Sequence, residues 1–108
     1  MGYRTMNIDE AMEILRNQSS HMRSVYHVVD IGVFGSCVTG NLKKHSDIDV
    51  LVSFEKGRKD LFNYMRLKQY LEGLLGRKVD LVMKEAVKPR LRERIFSEVM
   101  HVPCSRSM

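Results

Sequence analysis

The sequence predicts an α+β fold, with a small mixed sheet of three to four strands covered by helices. Three observations predict it. Apolar residues recur at helical spacing in three segments, near each end and in the middle. Three short runs rich in β-branched residues lie between them. The order is then helix, strand, strand, helix, strand, helix, which a sheet covered by helices accommodates.

Each element has its own signal. Asn7 followed by Glu10 reads as a capping box. Ile8, Met12 and Leu15 carry a first helix from about Ile8 to Asn17, with a continuation past Ser19 and Ser20 to about Tyr26 open. Val28 to Phe34 reads as a strand that stops at Gly35-Ser36. The polar stretch from Thr39 to Ser46 reads as a loop after a short helical turn. Asp47 to Val52 forms the second strand, with Ile48, Val50 and Val52 on one face and Asp47, Asp49 and Leu51 on the other. A turn around Gly57 leads to a helix marked by Leu61, Tyr64, Leu67, Leu71 and Leu74 and ended by Gly76. Lys78 to Met83 is a third strand, in which Val79, Leu81 and Met83 alternate with Asp80 and Val82. Pro89 suits the first turn of a last helix striped by Leu91, Ile95 and Val99. Pro103 and the Ser-rich end mark its stop.

At 108 residues the chain suits one domain, taken as residues 1–102, with 103–108 as a flexible tail. A domain this small buries a modest share of its surface, so a second copy or a partner would add stability. No apolar run approaches the length of a membrane span and the N-terminus lacks a signal-peptide core, so the expectation is a soluble cytoplasmic protein away from membranes. Cys37 and Cys104 then read as reduced thiols. The net charge of +5 invites an anionic partner, which a nucleic acid, a nucleoside triphosphate or an acidic protein would satisfy equally.

Chemistry concentrates in three strand carboxylates, Asp47, Asp49 and Asp80. A carboxylate inside an apolar strand is costly to bury without a counter-charge. Asp47 and Asp49 point to one face, their Cβ atoms roughly 7 Å apart at about 3.3 Å per residue. Asp80 joins that face if the third strand lies beside the second. Three like charges there call for a cation, and hard oxygen ligands suit Mg²⁺ together with substrate phosphates. One ion, or two about 4 Å apart, fits such a set. Upstream, Gly35 lets the backbone approach a ligand closely, Ser36 offers a hydroxyl and backbone N–H groups to an anion, and Gly40 eases the return of the loop. A Gly-Ser or an Asp-x-Asp alone says little. Gly-Ser at a strand end, ten residues, then Asp-x-Asp opening a strand, with a third strand Asp about thirty residues on, is far more specific.

With these residues in view, the chain resembles the minimal nucleotidyltransferase (MNT) group of the DNA polymerase β-like superfamily. Val33-Phe34-Gly35-Ser36, Gly40, Ser46-Asp47-Ile48-Asp49-Val50-Leu51-Val52 and Val79-Asp80-Leu81-Val82 carry the likeness, which spans nearly the whole chain. It implies the polymerase β-like fold. It also implies transfer of AMP from ATP, with two Mg²⁺ ions, to a tyrosine of a HEPT-type toxin for which the protein is the antitoxin. By the same resemblance Gly35 and Ser36 hold the triphosphate, Asp47 and Asp49 bind metal, and Asp80 is the third metal and catalytic carboxylate, assisting the nucleophile; Gly40, Lys43 and Ser46 are further candidates for the phosphate seat. One position departs from the pattern. Where the family carries Arg in its phosphate loop, this chain has Thr39, whose hydroxyl cannot reproduce bidentate phosphate contacts. Lys43 or Lys44 is a candidate replacement, though both also read as solvated loop lysines.

Other residues take plainer readings. Cys37 reads as a space-filling residue before a reactive thiol, and His45 as a surface residue before a phosphate or metal contact. Ser46 caps or orients the turn before Asp47. Lys84, Lys88, Arg90, Arg92 and Arg94 form either a partner contact or a solvated helix face, and Tyr64 and Tyr70 read as packing groups. Two functions compete: an enzyme that modifies a partner protein, favoured by the intact carboxylates, and a binding module with a vestigial site, favoured by Thr39. A nucleic-acid-directed transferase ranks third, because the chain is short for a separate gripping domain.

Overall fold

A computed structural model describes residues 7–43, 46–58 and 60–102. Helix α1 spans Ile8–Asn17, and Asn7 caps it by accepting from the Glu10 N–H at 2.8 Å. The helical run does not continue unbroken to Tyr26. Gln18 leaves helical geometry with ψ of 8°, the Ser19 hydroxyl donates to the Arg16 carbonyl, and a separate helix α2 runs Ser19–Tyr26. Strand β1 follows at Val28–Phe34, then a one-turn helix α3 at Ser36–Thr39. Strand β2 is Ile48–Phe54, so it starts one residue after Asp47 and runs two residues past Val52. Helix α4 spans Leu61–Leu75, capped by the Asp60 carboxylate and ended at Gly76. Strand β3 covers Val79–Met83, a 3₁₀ turn covers Lys84–Ala86, and helix α5 covers Pro89–Glu98. The residues of the expected tail, 103–108, lie outside the described residues, as do Lys44, His45 and Cys104.

The strands form one mixed sheet in the order β3-β2-β1-β4. Strands β1 and β2 pair antiparallel, β2 and β3 parallel. The fourth strand, β4 at Met100–His101, pairs antiparallel with Gly32 and Val33. Two residues give no periodicity to read, so nothing local in the sequence announces it. Gly32 makes room for it: a Cβ there would stand 2.7 Å from Val99 Cγ2 and 3.0 Å from the Met100 carbonyl. His101 Nδ1 lies 3.2 Å from Asp30 Oδ1, and Lys84 Nζ lies 3.6 Å from Asp30 Oδ2, tying β4 and the 3₁₀ turn to β1.

The sheet divides the interior. Ile31, Val33, Ile48, Val50, Val52, Val79 and Leu81 face a large core completed by Ala11 and Leu15 of α1, Met22 of α2, and Leu67, Leu71 and Leu75 of α4. On the opposite face Phe34, Leu51 and Val87 form a smaller cluster, against which Val82, Ile95 and Val99 pack. Alternation along β2 and β3 therefore falls as the sequence indicates, with Leu51 buried and Val82 partly buried in the smaller cluster, and Asp49 and Asp80 on that same face. No described helix is long and apolar enough to cross a membrane.

Candidate active site

The end of β1, the start of β2 and the start of β3 meet at one corner of the sheet. Phe34 pairs with Asp49 across the antiparallel ladder, and Asp49 pairs with Asp80 across the parallel one. The Gly35-Ser36 turn and two of the three carboxylates are therefore neighbours through backbone register alone. Asp47 precedes β2 and is exposed, Asp49 is half-buried, and Asp80 is exposed.

Gly35 sits at φ 74°, ψ −147°, a backbone that side-chain-bearing residues rarely adopt. A Cβ at this position would also overlap Asp49 Oδ2. Glycine is thus required twice, by the turn and by the carboxylate against it. The turn opens α3, whose amides fold back: Val38 and Thr39 N–H donate to the Gly35 carbonyl, and Asn41 N–H to the Ser36 carbonyl. Gly40 closes α3 in the left-handed region. Ser36 is half-buried at the start of α3. Thr39 is exposed, and its hydroxyl turns back toward the Ser36 carbonyl at 3.5 Å while accepting from Asn41 Nδ2 at 3.2 Å. Cys37 is buried in the main core, and burial pushes its thiol pKa up, which keeps it a protonated packing residue.

Asp49 is the electrostatic focus. Its pKa is raised from 3.8 to about 6, first by burial, then by the charge of Asp80 and a hydrogen bond with it, then by Asp47 and Glu98. Glu98 is a fourth carboxylate that the sequence reading does not include. It stands at the end of α5, and its Oε1 accepts from the Gly35 N–H at 3.0 Å. The signal for it is an acidic residue three positions after Ile95, on the inward stripe of a helix.

The loop before Asp47 is held by a second unanticipated residue. Arg77 is buried and donates through Nη2 to the carbonyls of Lys43 and Ser46. Ser46 also closes the loop on itself: its hydroxyl accepts from the Lys43 N–H at 3.1 Å, and its own N–H donates to the Lys43 carbonyl. Lys43 is exposed. Of the basic set, Lys84 pairs with Asp30, Arg92 Nε donates to the Val87 carbonyl, and Lys88, Arg90 and Arg94 are exposed. Tyr64 and Tyr70 pack against the core and donate to the Leu81 carbonyl and to Gln18 Oε1.

The donor set suits a hard cation. Among the described residues no three His, Cys, Asp or Glu side chains are gathered tightly enough to hold a metal ion. Mg²⁺ does not need such a cage, since one or two carboxylates plus substrate phosphates and water complete its shell. Burial first, and then the neighbouring carboxylates, hold the Asp49 pKa up, and a cation bound there would favour its charged form.

This corner can be set beside known proteins. The nucleotidyltransferase domain family matches residues 11–100. The chain belongs to this family. It is 40% identical over 97 residues to the protein adenylyltransferase MntA of Thermococcus cleftensis, covering 90% of this chain and 97% of that protein. A solved, provisionally named minimal nucleotidyltransferase is 38% identical with a TM-score of 0.73, over 88% of this chain and 95% of that one. The fold also recurs, at 21% identity and a TM-score of 0.60, in a complex of tri-AMPylated Shewanella oneidensis HEPN toxin with an MNT antitoxin, over 87% of this chain and 73% of that one. The chain is a nucleotidyltransferase of the minimal, MntA-like kind, and its mixed α+β architecture is that of the group.

Proposed function

We propose that this protein transfers AMP from ATP-Mg²⁺ to a tyrosine hydroxyl of a toxin of the HEPT kind and so acts as its antitoxin. The observation that carries this reading is the pairing of Asp49 with Asp80 directly beside the Gly35-Ser36 turn. The MntA relative's adenylyltransferase name and the AMPylated toxin in the more distant complex support the reaction and the partner.

Each residue has a role in this reading. Gly35, Ser36 and Gly40 shape the seat of the triphosphate, with Lys43 and Ser46 at its rim. Asp47 and Asp49 hold the metal ions, two in number by the family's pattern, with Asp80 the third carboxylate. When bound, Mg²⁺ neutralises the triphosphate and organises in-line displacement. Asp80 takes the proton of the attacking hydroxyl. The hydroxyl oxygen forms a bond to the α-phosphorus, the bond from that phosphorus to the bridging oxygen breaks, and pyrophosphate leaves with the electron pair. The turn and carboxylates act chiefly by positioning.

Thr39 supports one alternative, neutralisation of the partner by contact alone. Labelled ATP, Mg²⁺ and the product of the neighbouring gene separate the two readings. Transfer of label that is lost in an Asp47→Ala/Asp49→Ala variant is the expected result. Neutralisation by both versions without label on either toxin rejects the transferase.

A further inference from the structure

We propose that Arg77 is a positioning residue for the metal-binding carboxylates, an inference that rests on the proposed function. A guanidinium that is 8% exposed carries a desolvation cost that an apolar side chain would avoid. The local fold does not require it. Gly76 N–H already caps α4 on the Glu72 carbonyl, Val79 N–H donates to Glu72 Oε2, and Ile48 N–H donates to the Lys78 carbonyl. Arg77 instead spans from the entry of β3 to the entry of β2. Its donors hold the carbonyls of Lys43 and Ser46, one on either side of residues 44–45.

The consequence is geometric. The Ser46 carbonyl belongs to the peptide that leads into Asp47, and Arg77 stands three residues before Asp80. One guanidinium nitrogen, Nη2, therefore bridges the two segments that carry the carboxylates. Its charge also reaches Cys37, the residue after Ser36, where it favours the thiolate against the larger effect of burial. Arg77 touches neither substrate nor metal in this account. It fixes where the ligands stand, as outer-shell partners do for metal sites generally.

The test uses Arg77→Lys, which keeps the charge but not the rigid planar donor that reaches both carbonyls, and Arg77→Gln, which removes the charge. Mn²⁺ binding is followed by electron paramagnetic resonance in the full-length protein with α,β-methylene-ATP present, alongside thermal unfolding and the Mg²⁺ dependence of AMP transfer. Both folded variants are expected to bind Mn²⁺ about tenfold more weakly or worse. Transfer should need correspondingly more Mg²⁺, while kcat at saturating Mg²⁺ stays near the parent value. Unchanged Mn²⁺ affinity with a lowered unfolding temperature, or failure of Arg77→Lys to fold, assigns the guanidinium to folding and overturns the proposal. Absence of Mn²⁺ binding by the parent protein rejects the metal-dependent function itself, a different result from equal binding by parent and variants.

Discussion

Asp49 places function and stability in opposition at a single side chain. Its pKa is raised from 3.8 to about 6, so the folded protein binds more protons than the unfolded chain between those values. Stability of the metal-free protein from this group is therefore highest below about pH 4 and declines as pH rises through 6. The decline is of order 1–2 kcal/mol once partial exposure is allowed for. Asp49→Asn is expected to raise the metal-free unfolding temperature at pH 7, to flatten its dependence on pH between 4 and 6, and, on the proposed function, to reduce AMP transfer by more than 100-fold through loss of the proposed metal ligand. Calorimetry across that range, without metal and then with Mg²⁺ and nucleotide, checks it. A lower unfolding temperature for Asp49→Asn at pH 7 would show that the carboxylate is not held against its charge. Gly35 and the Asp-x-Asp spacing are legible because each residue type states its own chemistry. The pressure on Asp49 is less so, because it depends first on the burial of its side chain and then on Asp80 and Glu98, of which Glu98 has no local signal tying it to the site.

At the scale of elements, β1, β2, β3 and α4 are legible because their periodicities run over five or more residues. The α1–α2 boundary is harder, since Gln18 is no helix breaker and the break rests on backbone geometry and the Ser19 back-bond. Strand β4 is two residues long, and Arg77 and Glu98 act on backbone 31 to 63 residues away, where no local pattern reports the contact. Helix α5 shows what this means for the site. It buries none of its residues fully, yet Glu98 at its end holds the Gly35 N–H. Glu98→Gln retains a carbonyl acceptor and removes a charge beside Asp49, so it should transfer AMP at a rate near the parent. Glu98→Ala leaves the Gly35 N–H without that acceptor and should raise KM for ATP roughly tenfold, in line with about 1–3 kcal/mol for a lost acceptor. Steady-state kinetics of the pair decides between roles: equal impairment would mean that the charge itself serves the reaction.

Across the whole molecule, the sheet separates what holds the fold from what does the chemistry. The larger core lies with α1, α2 and α4, and Leu67, Leu71 and Leu75 of α4 are fully buried in it. The smaller cluster lies beneath α5, on the face that carries Asp49 and Asp80, with Ile95 only partly buried. Deleting methyl groups on the two sides should therefore have different consequences. Leu71→Ala should destabilise by about 2–5 kcal/mol, because the surrounding core relaxes only partly into the cavity. Well below its lowered melting point, however, its KM for ATP should match the parent, since Leu71 packs in the core on the face of the sheet opposite the carboxylates. Ile95→Ala should destabilise by about 1 kcal/mol, a cost scaled down for partial burial. It should nonetheless raise KM for ATP several-fold, because α5 carries Glu98 to the Gly35-Ser36 turn. Thermal unfolding and ATP kinetics on the two variants test the separation. It fails if Leu71→Ala changes KM in the folded protein, or if Ile95→Ala changes only stability, which would mean that α5 covers the sheet without positioning the site.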